Sequence, residues 1–176
     1  MKTLRVWFYD PAADSEGFVN KLVSRLDSPY CHVEVQFTNN RACSIYMGSK
    51  VLLRPRTFDS PNYSCLHVPC SDVQHTLATG HAEHMHSQEL TFSSLQMTSC
   101  FLWAPASSNP QHTFCSKLVT EILQQAGVLG TDVDAQRTSP SALHRLLEPL
   151  SQQKRLVVIQ PASQRTMALD FKMPTT

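Results

Sequence analysis

The sequence predicts an α+β domain: short β-prone runs crowd its first half, two strongly periodic helices mark its second, and no repeat or linker divides the chain. Residues 3–9 (TLRVWFY) read as a first strand, closed by Asp10-Pro11. In SEGFVNKLVSRL, Ser15 can cap a helix whose Phe18, Val19, Leu22, Val23 and Leu26 recur at helical spacing, and Asp27-Ser28-Pro29 closes it. CHVEVQF, ACSIYM and VLLRP follow, the first two split by a TNN turn, and YSCLHVP comes after the turn-like DSPN at 59–62. Together they predict a meandering, mainly antiparallel sheet. Ser71 and Gln74 spell a capping box for a helix running towards Met85, with Val73, Leu77 and His81 on one face and Gly80 weakening it. Phe92, Leu95, Met97, Phe101, Leu102 and Trp103 supply a short helix or an ordered loop, and PASSNPQ at 105–111 is a break. Phe114, Leu118, Val119, Ile122, Leu123 and Ala126 then repeat as a buried helix ended by Gly127. Ser139-Pro140 opens another helix with Leu143, Leu146 and Leu147 inward, and LVVIQ at 156–160 reads as a last strand. The expected organisation is a single domain over 1–165 and a C-terminal tail over 166–176.

With 176 residues, 41% of them hydrophobic, the chain can bury a proper core. Its 15 basic and 14 acidic side chains give a net charge of +1 with no long block of either sign, so no nucleic-acid or acidic-membrane partner is expected. No apolar run approaches the roughly 20 residues of a membrane-spanning helix, and the first ten residues lack a signal pattern. A cytoplasmic protein without integral membrane association is therefore expected, with Cys31, Cys43, Cys65, Cys70, Cys100 and Cys115 as free thiols. The five glycines form no phosphate-binding loop. HAEHMH (His81, His84, His86) contains no HExxH, and Cys65 and Cys70 around His67 fit no common zinc spacing. No cofactor and no metal is expected. Arg54 and Arg56, flanking Pro55, read as a solvated sheet edge or as a grip on an anion.

Cys115 falls in the first turn of its helix, where free backbone N–H groups and the helix dipole favour a thiolate; a buried core thiol is the alternative. A nucleophilic sulfur needs a base. His112 lies three residues upstream on the loop side, while strand periodicity sets His32, Glu34 and Gln36 on one face of CHVEVQF and Cys31, Val33, Val35 and Phe37 on the other. That polar face looks either to solvent or into a cleft. Glu34 stands roughly 6.6 Å of strand rise from His32, so spacing alone does not make it the partner of the imidazole. If Asn39-Asn40 is the hairpin turn, the returning strand brings Ile45, Tyr46 and Met47 near His32.

The order of SPYCHVEVQF, FDSPNYSCLHVP, TFCSKLVTEILQQAGV and SPSALHRLL resembles the circularly permuted papain-like fold, over roughly residues 3–160. That group includes relatives of bacterial cell-wall amidases, lecithin retinol acyltransferase-like proteins, and small viral and phage proteins. In the permuted order the histidine strand precedes the cysteine helix, as His32 precedes Cys115. The resemblance implies that Cys115 is the nucleophile and His32 its base. Relatives often carry a third polar residue on the next strand, but ACSIYM offers only Ser44 or Tyr46, and Glu34 is taken in its place. Lys117 stands where relatives often carry glutamate and is expected to take no part. The implied function is a cysteine-dependent hydrolase cleaving an amide, peptide or isopeptide bond through a thioester. A lipid acyltransferase or phospholipase-like thiol enzyme, and a viral structural or interaction protein that keeps the fold without turnover, are the alternatives. The partner would be a peptide, protein or acyl-bearing substrate, met in a host cytoplasm or a virion if the protein is viral.

Overall fold

Strand β1 (Lys2–Tyr9) alternates Leu4, Val6 and Phe8 with Arg5, Trp7 and Tyr9, and the first set is fully buried. A computed structural model describes residues 1–11, 29–102 and 109–157. In it β1 pairs antiparallel with β2 (His32–Gln36) on one side and with β5 (Tyr63–Cys70) on the other. Strands β3 (Arg41–Ser44) and β4 (Leu52–Pro55) extend the sheet beyond β2, giving the order β4-β3-β2-β1-β5. The sheet is antiparallel, as expected, but it is not a simple meander, because the chain crosses from β4 at one edge to β5 at the other.

Cross-strand partners share a face, so the register sorts the sheet into two surfaces. Leu4, Val6, Phe8, Val33, Val35, Cys43 and Leu53 form the apolar one and join the main core. Trp7 opposite Glu34 and Tyr9 opposite His32 belong to the other. The β2–β3 turn closes with Phe37 N–H donating to Arg41 O at 2.9 Å, and Asn40 takes the left-handed φ of 61° that such a turn needs.

Helix α1 (Asp72–Ser87) starts on the expected capping box: Ser71 Oγ accepts from Gln74 N–H at 3.1 Å, and Gln74 Oε1 accepts from Ser71 N–H at 3.0 Å. Its inward face is not the one that carries Val73, Leu77 and His81. His75, Ala78 and Ala82 are buried, whereas Val73 and Leu77 are exposed. Small side chains let α1 lie close to its neighbour, and the larger apolar residues are left outside. Helix α2 (Ser94–Leu102) follows the short strand β6 (Thr91–Phe92), which pairs in parallel with β7 (His112–Thr113). Two-residue strands leave no periodicity to read.

Helix α3 (Cys115–Gln125) buries Leu118, Val119, Ile122 and Leu123 in the core. It ends in a Schellman motif: Val128 N–H donates to Leu123 O at 2.9 Å, Gly127 N–H to Gln124 O at 2.8 Å, and Gly127 has φ +64°. Helix α4 (Pro140–Val157) buries Leu143 and Leu147, but Leu146 is 42% exposed, against expectation. Leu156 and Val157, expected in a final strand, continue this helix; a four-residue apolar run cannot be told from a helix end by period alone. The expected helix over 15–26, Trp103, residues 158–160 and the tail over 166–176 lie outside the described residues. All six cysteines are free thiols. Among the described residues no helix is long and apolar enough to cross a membrane.

Candidate active site

Phe114 sets where α3 begins. Its side chain is buried, its backbone is extended (φ −143°, ψ 168°), and Thr113 before it is held by Ser93 N–H donating to its carbonyl at 2.9 Å. Cys115 is consequently the first helical residue. Phe114 supplies no side-chain cap, so the first-turn N–H groups and the positive end of the helix dipole are left beside the sulfur. Cys115 itself is 4% exposed.

The sequence left two fates for the polar face of β2, and the structure selects the inward one. Glu34 is fully buried and Gln36 nearly so, while His32 keeps 14% of its side chain exposed. Trp7 Nε1–H donates to Gln36 Oε1 at 2.9 Å and stacks on Phe58 at 4.4 Å, and Gln36 Nε2–H donates to Arg56 O at 2.8 Å. The segment after β4 is thereby drawn across the sheet, and the Arg56 side chain is delivered to Glu34.

Glu34 is the hub. Its Oε1 accepts from Tyr46 Oη–H at 2.8 Å and lies 3.1 Å from Arg56 Nη2 and 3.3 Å from His32 Nε2. The His32 contact is a charge pair rather than a well-directed hydrogen bond, since Nε2 has no properly aligned acceptor. Arg56 also donates to the hydroxyl oxygens of Tyr46 and Tyr63, the latter at 2.9 Å, so the tyrosines relay its charge to the same carboxylate. Burial alone would raise the Glu34 pKa; His32, then Tyr46 and Arg56, hold it below the usual carboxylate range. Tyr46 stacks on His32, with ring centroids 4.8 Å apart, and fixes the plane of the imidazole.

His32 shares the wall of one cavity with Cys115. Burial works against a charged ring, but Cys115 and then Glu34 outweigh it, and the pKa rises from 6.5 to about 9. The sign follows. Stability from this proton is fully present below about 6.5 and is lost as pH rises through about 9. An NMR titration of the His32 ring should give a midpoint near 9. Glu34→Gln and Cys115→Ala should each lower it, and a midpoint unmoved by either change would show that neither group holds the proton.

Cys115 and His32 open onto a half-enclosed cavity of about 330 Å³, walled by Tyr9, Tyr46, Tyr63, Ile45, Met47, Phe92 and Met97. Cys31 lines it too, but burial and then the charge of Cys115 push its thiol up to about 12. It is therefore held as an unreactive thiol at neutral pH.

Of the three residues singled out from the sequence, His32 and Glu34 pair at 3.3 Å, and His32 and Cys115 line the same cavity. Strand rise alone left the Glu34–His32 contact open; the two side chains approach to 3.3 Å because neighbouring same-face side chains can lean along the strand. His112 does not join them; its Nδ1 is 2.7 Å from Thr91 Oγ1. Of the pair read as a solvated edge or a grip on an anion, Arg56 grips the Glu34 carboxylate. Arg54 is indeed exposed. Among the described residues no three His, Cys, Asp or Glu side chains cluster as a metal site, and the rings of His81 and His84 lie 6.3 Å apart. No family model, curated protein or solved structure matches the chain.

Proposed function

We propose that the protein is a cysteine hydrolase of circularly permuted papain-like architecture, acting on an amide, peptide or isopeptide bond whose acyl side is bulky and apolar. The observation that carries this reading is a sulfur at a helix start without a side-chain cap, on the wall of a cavity that it shares with an imidazole paired to a buried carboxylate. In the proposed reaction the Cys115 sulfur bonds to the carbonyl carbon, and the oxyanion forms beside the free N–H groups of the first α3 turn. His32 gives its proton to the leaving nitrogen as the C–N bond breaks, leaving a thioester. Water then loses a proton to His32 and attacks that thioester, releasing the acid and restoring the thiol pair.

The cavity supports the acyl preference. Ile45, Met47, Phe92 and Met97 offer only apolar atoms, and no charged side chain other than His32 lines it among the described residues. Its volume lies at the low end of the roughly 300–1,000 Å³ of small-molecule sites, so it suits one bulky group better than a long chain. The same lining would also serve a thiol acyltransferase or esterase, and an ester leaving group separates the two readings.

The test is a panel of fluorogenic amides and matched nitrophenyl esters carrying leucyl, phenylalanyl, aspartyl or lysyl acyl groups, with intact-mass detection of the Cys115 adduct. Apolar acyl groups are expected to be turned over at least about tenfold faster than charged ones, since a charge in this cavity would be desolvated without a partner. Turnover of esters alone would favour acyl transfer. No turnover and no adduct with any member of the panel would overturn the enzyme reading in favour of a scaffold or interaction protein.

A further inference from the structure

Three features with no part in the thiol chemistry converge on a second cavity. They are His81 of HAEHMH, His112 just upstream of Cys115, and Lys117. Lys117 follows Cys115 by two residues, about 200° round the helix, and so faces away from the sulfur. The cavity it enters, about 530 Å³ between α1, β7 and α3, shares no lining residue with the one at Cys115.

Lys117 is unusual in being only 8% exposed while weakly satisfied. Its Nζ is 3.8 Å from Glu121 Oε1 and 3.5 Å from His112 O, both at the outer limit of useful contact for a group with three donors. Glu121 is a loose counterion at that distance, and burial raises its carboxyl pKa despite the neighbouring ammonium. His112 has Nδ1 engaged by Thr91 Oγ1, which leaves Nε2 for another partner. Met85 and Leu90 supply an apolar wall beside these polar groups.

We propose that this cavity is a second ligand site, taking a small molecule with a carboxylate on a compact apolar body. The carboxylate binds Lys117 Nζ at closer range than Glu121 does, with His112 Nε2–H as a further donor, and the body rests on Met85 and Leu90. This inference stands apart from the proposed hydrolysis and survives its failure.

Benzoate is the probe and benzamide its neutral match, titrated by calorimetry into the full chain. Benzoate should bind saturably and benzamide roughly tenfold or more weakly, the ratio expected when a charge-assisted bond is lost. Lys117→Met keeps the stem and removes the charge, and should abolish the preference while leaving Cys115 alkylation unchanged. Glu121→Gln should tighten benzoate by removing the competing carboxylate. Equal binding of benzoate and benzamide to the native chain overturns the proposal without recourse to any variant, as does the absence of saturable benzoate binding. Benzoate binding that Lys117→Met leaves intact, or that Glu121→Gln fails to strengthen, also counts against it.

Discussion

Cys115→Ala should abolish covalent capture of carbonyl-directed probes and reduce turnover of any responsive substrate by roughly 10⁴-fold or more, the scale seen when a nucleophile is removed. His32→Ala should lower the same rates by about 10²–10⁴-fold, because the sulfur remains but loses the group that holds and returns its proton. The fold should persist in Cys115→Ala. Alanine is the best helix former, Cys115 opens α3 rather than filling its centre, and the change should cost about 1 kcal/mol in thermal unfolding. Cys31 provides the internal control, because it lines the same cavity with its thiol pushed up to about 12. Peptide mapping should therefore find the adduct on Cys115 at neutral pH. Equal labelling of the native chain and Cys115→Ala would remove the nucleophile from the proposal.

Much of the frame was legible because it rests on short-range chemistry. The alternation of β1, the Ser71–Gln74 capping box, and the apolar stripe of α3 with Gly127 beyond it each depend on residues a few positions apart, and each appears where the pattern puts it. The same patterns did not say which face packing would choose. Val73 and Leu77 are more apolar than Ala78 and Ala82, yet the smaller pair is inside, a matter of how closely two elements approach. In the candidate site, Cys115 and His32 could be singled out from helix and strand position. Glu34 could be named only through a resemblance, since strand rise alone left its contact with His32 open. For Arg56 the local sequence left a solvated edge and a grip on an anion equally open: it lies outside β4 and reaches Glu34 through a tryptophan-bound glutamine and the stacking of Trp7 on Phe58. Long-range delivery of this kind leaves no period in the sequence.

Arg56→Leu should be the most destabilising single change near the site, by about 3–5 kcal/mol at pH 7, because it strands the fully buried Glu34 carboxylate without its guanidinium. Glu34→Gln should cost less: the Arg56 side chain is 22% exposed and can turn its charge to water, whereas Glu34 has no such route. Urea unfolding of both single variants and the double variant would measure the coupling, and Glu34→Gln in the Arg56→Leu background should recover part of the loss. The dependence on pH separates charge from packing. Glu34 is depressed below 4.5 in the folded chain, so its pairing stabilises above about that value and is lost as pH falls through the lower folded value. Without Arg56 the buried carboxylate accepts a proton more easily, and the penalty shrinks once it is neutral. The stability gap between native chain and Arg56→Leu should accordingly narrow on acidification below about pH 4.5. A gap that stays constant would assign Arg56 to its contacts with the Phe58, Tyr46 and Tyr63 rings, which carry no such pH dependence, and would leave His32 and the two tyrosines to hold Glu34 in its ionised form.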